Sequence, residues 1–165
     1  MKRLVIILIL IGIIISNNIH DNPDIIQKSN VDVVKLAPPS LRVYYRLKQY
    51  SKEYDIPFGI ALRVALKETG YRNPFNFNYQ HDQVSFANAY GPVQVQLKTA
   101  RWFFNDNTIQ KEDLLYNIDF NIKIGMSYLR SKYDIYGDWL YALGYYNTGY
   151  KKINDYAINI FHAKI

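Results

Sequence analysis

Apolar residues recur along this chain in separate runs, most of them with the period of a helix. The first run, Leu4 to Ile15, is continuous apart from Gly12. From Ser40 the spacing changes: Val43, Leu47, Tyr50 and Tyr54 fall at i, i+4, i+7 and i+11, which predicts a helix that Ser40 can cap. Asp55-Ile56-Pro57 restarts the chain. Pro57 suits a first turn and Gly70 a terminator, so a second helix is expected over about 57 to 69. Residues 71 to 92 show no helical period and read as a long polar and aromatic loop or a small hairpin, the kind of segment that often carries function. A short helix near Lys98 to Phe104 follows, then a longer one with Ile118, Ile122, Gly125 and Leu129 as its stripe, then another over about 138 to 145. A last helix would pack Ile153, Tyr156, Ala157, Ile160 and Phe161. No internal repeat or strand-rich stretch interrupts the pattern, so the expected class is mainly α, a single domain with little or no β-sheet.

The opening run differs from the rest. Met1-Lys2-Arg3 precedes it and Ser16-Asn17-Asn18 follows, the layout of a secretory address. As a helix, its twelve residues rise about 18 Å, short of the ~30 Å hydrocarbon core of a bilayer. Residues 1–16 are therefore expected to be a signal peptide or, since no small-x-small cleavage motif is clear, a short signal anchor. Residues 17–38, mixed in Asn, Asp, Lys and Ser and closed by Pro38-Pro39, read as a flexible linker. The folded domain would then be 39–165. On this reading the protein is exported to the periplasm or cell envelope, and an uncleaved signal would give it membrane contact through the N-terminal segment.

Composition narrows the chemistry. The 165 residues carry a net charge of +6, or +4 once Lys2 and Arg3 are set aside, with Lys and Arg scattered singly among Asp and Glu. A nucleic-acid partner is not expected from that scatter, because duplex binders cluster their basic residues. A weakly anionic polymer fits better. The absence of Cys removes disulfides, thiolate zinc sites, Cys nucleophiles and a lipid-modified Cys together. His20, His81 and His162 are isolated, no Ser-His-Asp arrangement or phosphate cradle is visible, and neither a metal nor a cofactor is expected. The 16 Tyr and 8 Phe could line a sugar cleft by stacking on pyranose faces, although AT-rich coding also raises Tyr. Trp102 and Trp139 read as core fillers, and Gly125, Tyr128 and Leu129 as helix packing.

One carboxylate is placed unlike the others. At about 100° per residue, Glu68 shares the face of Ala61, Val64 and Ala65, whereas Arg63 and Lys67 point away. Desolvation and the negative end of the helix both disfavour its charge, so its pKa should rise, as a general acid requires. The plain alternative is a Glu turned to solvent or paired with Arg63 or Lys67.

The motifs that follow decide between these readings. Glu68-Thr69-Gly70-Tyr71 leads to Ser85-Phe-Ala-Asn-Ala-Tyr-Gly-Pro-Val-Gln-Val-Gln-Leu-Lys-Thr-Ala100, then to Asn117-Ile with Gly125 and Tyr128-Leu129, then to Ala142-Leu-Gly-Tyr-Tyr-Asn-Thr-Gly149. This ordered series resembles the transglycosylase SLT domain of the lysozyme-like superfamily over about residues 39 to 155. The resemblance implies a lysozyme-like fold and Glu68 as the sole catalytic acid/base. It implies substrate binding by Ser85, near the acetamido group, and by Gln94, Gln96, Tyr146 and Asn147. Asn88 stands where the family has its first glycine, Pro92 where it has leucine, and Val93 and Gln96 where it has methionines. Leu97 replaces a proline, and Tyr145 and Thr148 two alanines. Gln96 would make its subsite more polar. On residues alone, Gly91 could let the backbone approach a sugar, Gln94 could offer donor and acceptor to acetamido groups, and Tyr146 could reach Glu68 with its hydroxyl.

The activity implied is a peptidoglycan lytic transglycosylase, cleaving between N-acetylmuramic acid and N-acetylglucosamine without water and leaving 1,6-anhydro ends. Glycan strands of peptidoglycan are the partner. Asp82, Asp106, Asp113, Asp119, Asp134 and Asp138 are the candidates for a second carboxylate, but none lies where the family uses one. Two rivals remain open: a hydrolase of the goose-type lysozyme branch, with Asp82 or another loop acid orienting water, and a non-catalytic peptidoglycan-binding module. A lone domain behind an export signal also resembles the specialised enzymes that open the wall for secretion, conjugation, pilus or phage machinery.

Overall fold

The computed structural model describes residues 36–163. The expected signal segment 1–16, and the expected linker as far as residue 35, lie outside the described residues. Among these, no helix is long and apolar enough to cross a membrane.

The class is mainly α, as the periodicity predicts. In chain order the described elements are α1 (Pro39–Glu53), α2 (Phe58–Thr69), β1 (Ala89–Tyr90), β2 (Val95–Gln96), α3 (Leu97–Phe104), α4 (Lys111–Tyr116), α5 (Ile118–Tyr136), α6 (Trp139–Thr148) and α7 (Asp155–His162). α5 packs against α1 and α6, α6 against α7, and α2 against both α1 and α7. Leu47, Val64, Ile122, Leu129 and Leu143 meet in the core with no exposed surface. Each such side chain contributes about 1.5–3 kcal/mol by leaving water.

Helix ends follow local chemistry. The side chains of Asn117, Asp138 and Asn154 accept from Phe120, Leu140 and Ala157 backbone N–H groups and so cap α5, α6 and α7. Gly70 ends α2 at φ 71°, a left-handed conformation natural to glycine.

Several local expectations are corrected. Ser40 does not cap α1: it lies inside the helix, donates through Oγ to the Pro74 carbonyl at 2.9 Å, and accepts at its own carbonyl from Tyr71 Oη. These bonds staple the long loop to the first helix. Of the two readings of the segment after α2, the small hairpin is found at its end, with Ala89 paired to Gln96 and Tyr90 to Val95. α4, of six residues, was too short to leave a period. In α7, Tyr156, Ala157 and Ile160 are buried, whereas Phe161, and Ile153 just before the helix, are about 40% exposed. Trp139 stacks on Tyr133, but Trp102 is 66% exposed and fills no core.

Candidate active site

Glu68 sits in the last turn of α2, on the face shared with Ala61, Val64 and Ala65, all fully buried. Burial pushes its carboxyl pKa above the ordinary 4.5, against the opposing pull of a hydrogen bond from Tyr156 and of the Lys67 charge. The Tyr156 hydroxyl donates to Glu68 Oε1 at 2.5 Å. Burial raises the hydroxyl pKa of both Tyr156 and Tyr146 well above 10, with the Glu68 charge acting in the same direction. Both phenols therefore stay protonated and act as donors at neutral pH.

A cleft of about 430 Å³ opens over this carboxylate. It brings together all six residues singled out in the sequence: Glu68, Ser85, Gln94, Gln96, Tyr146 and Asn147. Among the described residues Glu68 is the only carboxylate along its wall. Asp82, weighed above as a loop acid that could orient water, is exposed and does not line it.

The protein spends part of each side chain's hydrogen-bonding capacity and leaves the rest to the cleft. Gln94 Nε2 donates to the Gln83 and Gly91 carbonyls at 3.2 and 3.0 Å, so its amide keeps an acceptor for a ligand and has no spare donor. The expectation that Gln94 offers both is corrected on that ground. These bonds also hold Gln94 at φ 51°, a conformation unusual for a residue with a side chain. Ser85 Oγ accepts from the Ala89 N–H at 3.1 Å and retains its own proton to donate. Asn147 Oδ1 accepts from Asn154 Nδ2 at 3.0 Å, which leaves its amide N–H groups. Tyr146 Oη donates to the Val93 carbonyl at 2.6 Å rather than to Glu68. Gln96 stands at the end of β2 and lines the rim.

Two polar hubs hold this wall. Asn121 on α5 accepts from the Val93 N–H and donates to the Tyr90 and Leu114 carbonyls at 2.7 and 2.9 Å, so a fully buried amide is fully satisfied. Thr69, beside the acid, has one hydroxyl proton, which goes to the Pro92 carbonyl at 2.9 Å or the Ala65 carbonyl at 3.1 Å. The Tyr79 hydroxyl, 2.7 Å away, must then donate to Thr69.

Gly91 belongs to this scaffold and does not face the cleft. Its φ is +71°, and a Cβ there would come within 2.5 Å of the Leu114 carbonyl and 2.6 Å of Asn121 Nδ2. The close approach is to protein, not to a sugar. Asn88 adopts φ 54°, so it supplies the left-handed turn that a glycine would otherwise supply. Gly125 and Tyr128 do more than pack the helix, since both line the cleft.

Tyr156 is the residue missed. Its place in the apolar stripe of the last helix suggests packing alone, yet a buried phenol needs a partner for its hydroxyl, and that requirement is the signal that points to it. Among the described residues no group of His, Asp or Glu side chains is arranged to hold a metal ion.

The model of the transglycosylase SLT domain family matches residues 47–164. The chain belongs to that family and carries, in general terms, a peptidoglycan-acting function of the lytic transglycosylase type. No curated protein and no solved structure matches it.

Proposed function

We propose that this protein is a lytic transglycosylase with Glu68 as its one acid and base, acting on the bond between N-acetylmuramic acid and N-acetylglucosamine. The observation that carries the reading is one partly buried carboxylate in a cleft that no other carboxylate of the described residues lines. Ordinary glycosidases need two carboxylates, one of them to activate water or attack the sugar. With one, the proton given and the proton taken pass through the same group.

Protonated Glu68 gives its proton to the bridging oxygen, and the bond from that oxygen to muramyl C1 breaks. The muramyl C6 hydroxyl then attacks C1, and Glu68 takes back the hydroxyl proton. No water is consumed, and the 1,6-anhydro ring forms from a nucleophile already held in place. The Tyr156 hydroxyl stabilises the carboxylate between the two transfers. The Gln94 acceptor and the Ser85 and Asn147 donors suit the amide N–H and carbonyl of acetamido groups, with Tyr146 forming the wall beside them.

Export through residues 1–16, a location in the periplasm or envelope, a linker over 17–38 and service to a secretion, conjugation, pilus or phage machine belong to the same proposal.

The test is mass spectrometry of the soluble products formed from purified peptidoglycan by the full-length chain and by Glu68→Gln. Muropeptides ending in 1,6-anhydro-N-acetylmuramic acid, absent with the variant, are expected. Reducing ends one water heavier would make the protein a hydrolase, and binding without products would make it a wall-binding module.

A further inference from the structure

Beside the cleft lies a second groove of about 890 Å³, and the two share Ala87, Gln96 and Lys98. One face of α3 forms much of its wall, since Lys98, Arg101, Trp102 and Asn105 follow at i, i+3, i+4 and i+7. Trp102 offers a bare indole face, 66% exposed, of the kind on which a pyranose ring stacks. The Asn105 and Asn107 amides beside it can meet hydroxyl and acetamido groups.

Among the described residues, the charges lining this groove are all of one sign, and they are Lys98 and Arg101. Arg101 Nε donates to the Ile109 carbonyl at 2.8 Å, which fixes the guanidinium and leaves its terminal N–H groups. The carboxylate nearest in sequence, Asp106, is turned onto the Thr108 backbone and hydroxyl at 2.8 and 2.6 Å. A third cation backs the wall. Lys132, 5% exposed, holds its ammonium 5.4 Å from the Trp102 ring and 4.7 Å from each of the Tyr128 and Tyr145 rings, and those two tyrosines line the first cleft.

Resting on the glycan-cleaving reading above, we infer that this groove receives the continuation of the strand and recognises a carboxylate carried by its sugars. Trp102 is the stacking platform, and Lys98 and Arg101 are the cations. The carboxylate belongs either to the lactyl group of a peptide-free muramyl residue or to the peptide attached there; the chemistry read is the same.

The test titrates the full-length Glu68→Gln chain with three strands of equal length: a neutral chitin oligosaccharide, a peptide-free peptidoglycan strand and a peptide-bearing one. Strands with carboxylates should bind roughly tenfold tighter than the neutral one, as expected of two exposed charge pairs. Added salt should shrink that preference. Arg101→Gln in the same background should bring the ratio towards one, whereas Trp102→Ala should weaken the binding of all three strands alike. Indole emission should shift on binding and lose that shift in Trp102→Ala, because Trp139 is stacked on Tyr133. A preference confined to the peptide-free strand identifies the lactyl carboxylate, one confined to the peptide-bearing strand identifies the peptide, and one shared by both identifies a groove that reads a carboxylate from either source. A ratio that Arg101→Gln leaves unchanged, or strand binding that Trp102→Ala leaves unchanged, overturns the inference and leaves the proposed function standing. Binding of none of the three overturns both.

Discussion

Tyr156 and Glu68, 88 positions apart in the chain, meet through a hydrogen bond of 2.5 Å, so the tuning of the buried acid depends on the last described helix. The bond favours the ionised carboxylate and opposes the burial that raises its pKa. Tyr156→Phe should therefore raise the pKa of Glu68 further. The alkaline limb of the pH profile should move upward and cleavage should slow by about tenfold, the size of one lost hydrogen bond to a charged group. Stability should fall by only about 1 kcal/mol, because the ring still packs. Turnover against pH and thermal melting, measured together, check this; an unmoved limb would make Tyr156 a packing residue.

Glu68→Gln should fold and lose cleavage, and its stability should show the linkage. The folded chain holds the Glu68 proton more tightly than the unfolded chain does. As pH rises from 4.5 towards the raised value, the native state carries more protons than the unfolded one, so wild-type stability falls relative to the variant. Below pH 4.5 the contribution is fully present. Activity should decline over the same rise, since the acid must start protonated. Denaturant titrations of both chains at several pH values read the difference directly, and parallel curves would contradict a perturbed Glu68.

For Tyr146→Phe, a loss of about 1–2 kcal/mol is expected, because a buried Val93 carbonyl would lose its 2.6 Å donor. The cleft floor would loosen with it, since Val93 packs where Gly125 leaves room. A cleavage defect that returns in proportion when the protein is stabilised by low temperature would mark Tyr146 as a wall residue. A defect that persists at full folding would mark it as a residue touching substrate.

Gly144→Ala should be the most damaging small change in the domain. A Cβ there would lie 1.7 Å from the Lys152 carbonyl oxygen, and backbone on both sides leaves little to give. A cost of about 3 kcal/mol or more is expected, read as a lower melting temperature. Gly125→Ala would instead press on the Val93 side chain and the Tyr146 hydroxyl, at 2.4 and 3.0 Å, and should lower activity along with stability.

What could be read from the sequence and what could not have separate physical causes. Helices α1, α2 and α5 declare themselves because each buries one stripe, and a stripe leaves a period that survives without the partner. Glu68 was legible for the same reason: a charge on an apolar stripe is an exception visible in one helix. α4 spans too few residues to repeat, and β1 and β2 pair two residues each, too short to alternate. The partners of Asn121 and Tyr156 were illegible, because their bonds run between elements distant in the chain. Periodicity reports which side of a helix is buried, but says nothing of what waits there. The exposure of Trp102 is hidden for a related reason, since an indole on a helix face looks alike whether it meets a core or a groove.

The 88-residue separation of Tyr156 from Glu68 also sets an order of events while the chain is being made. At roughly 5–20 residues per second, Glu68 emerges from the ribosome about 4–18 seconds before its phenol partner. Through that interval α2 can form, but its acid has neither the donor that steadies it nor the α6 wall that completes the cleft. The order of the parts along the chain thus leaves the acid without its hydrogen-bond partner until α7 docks.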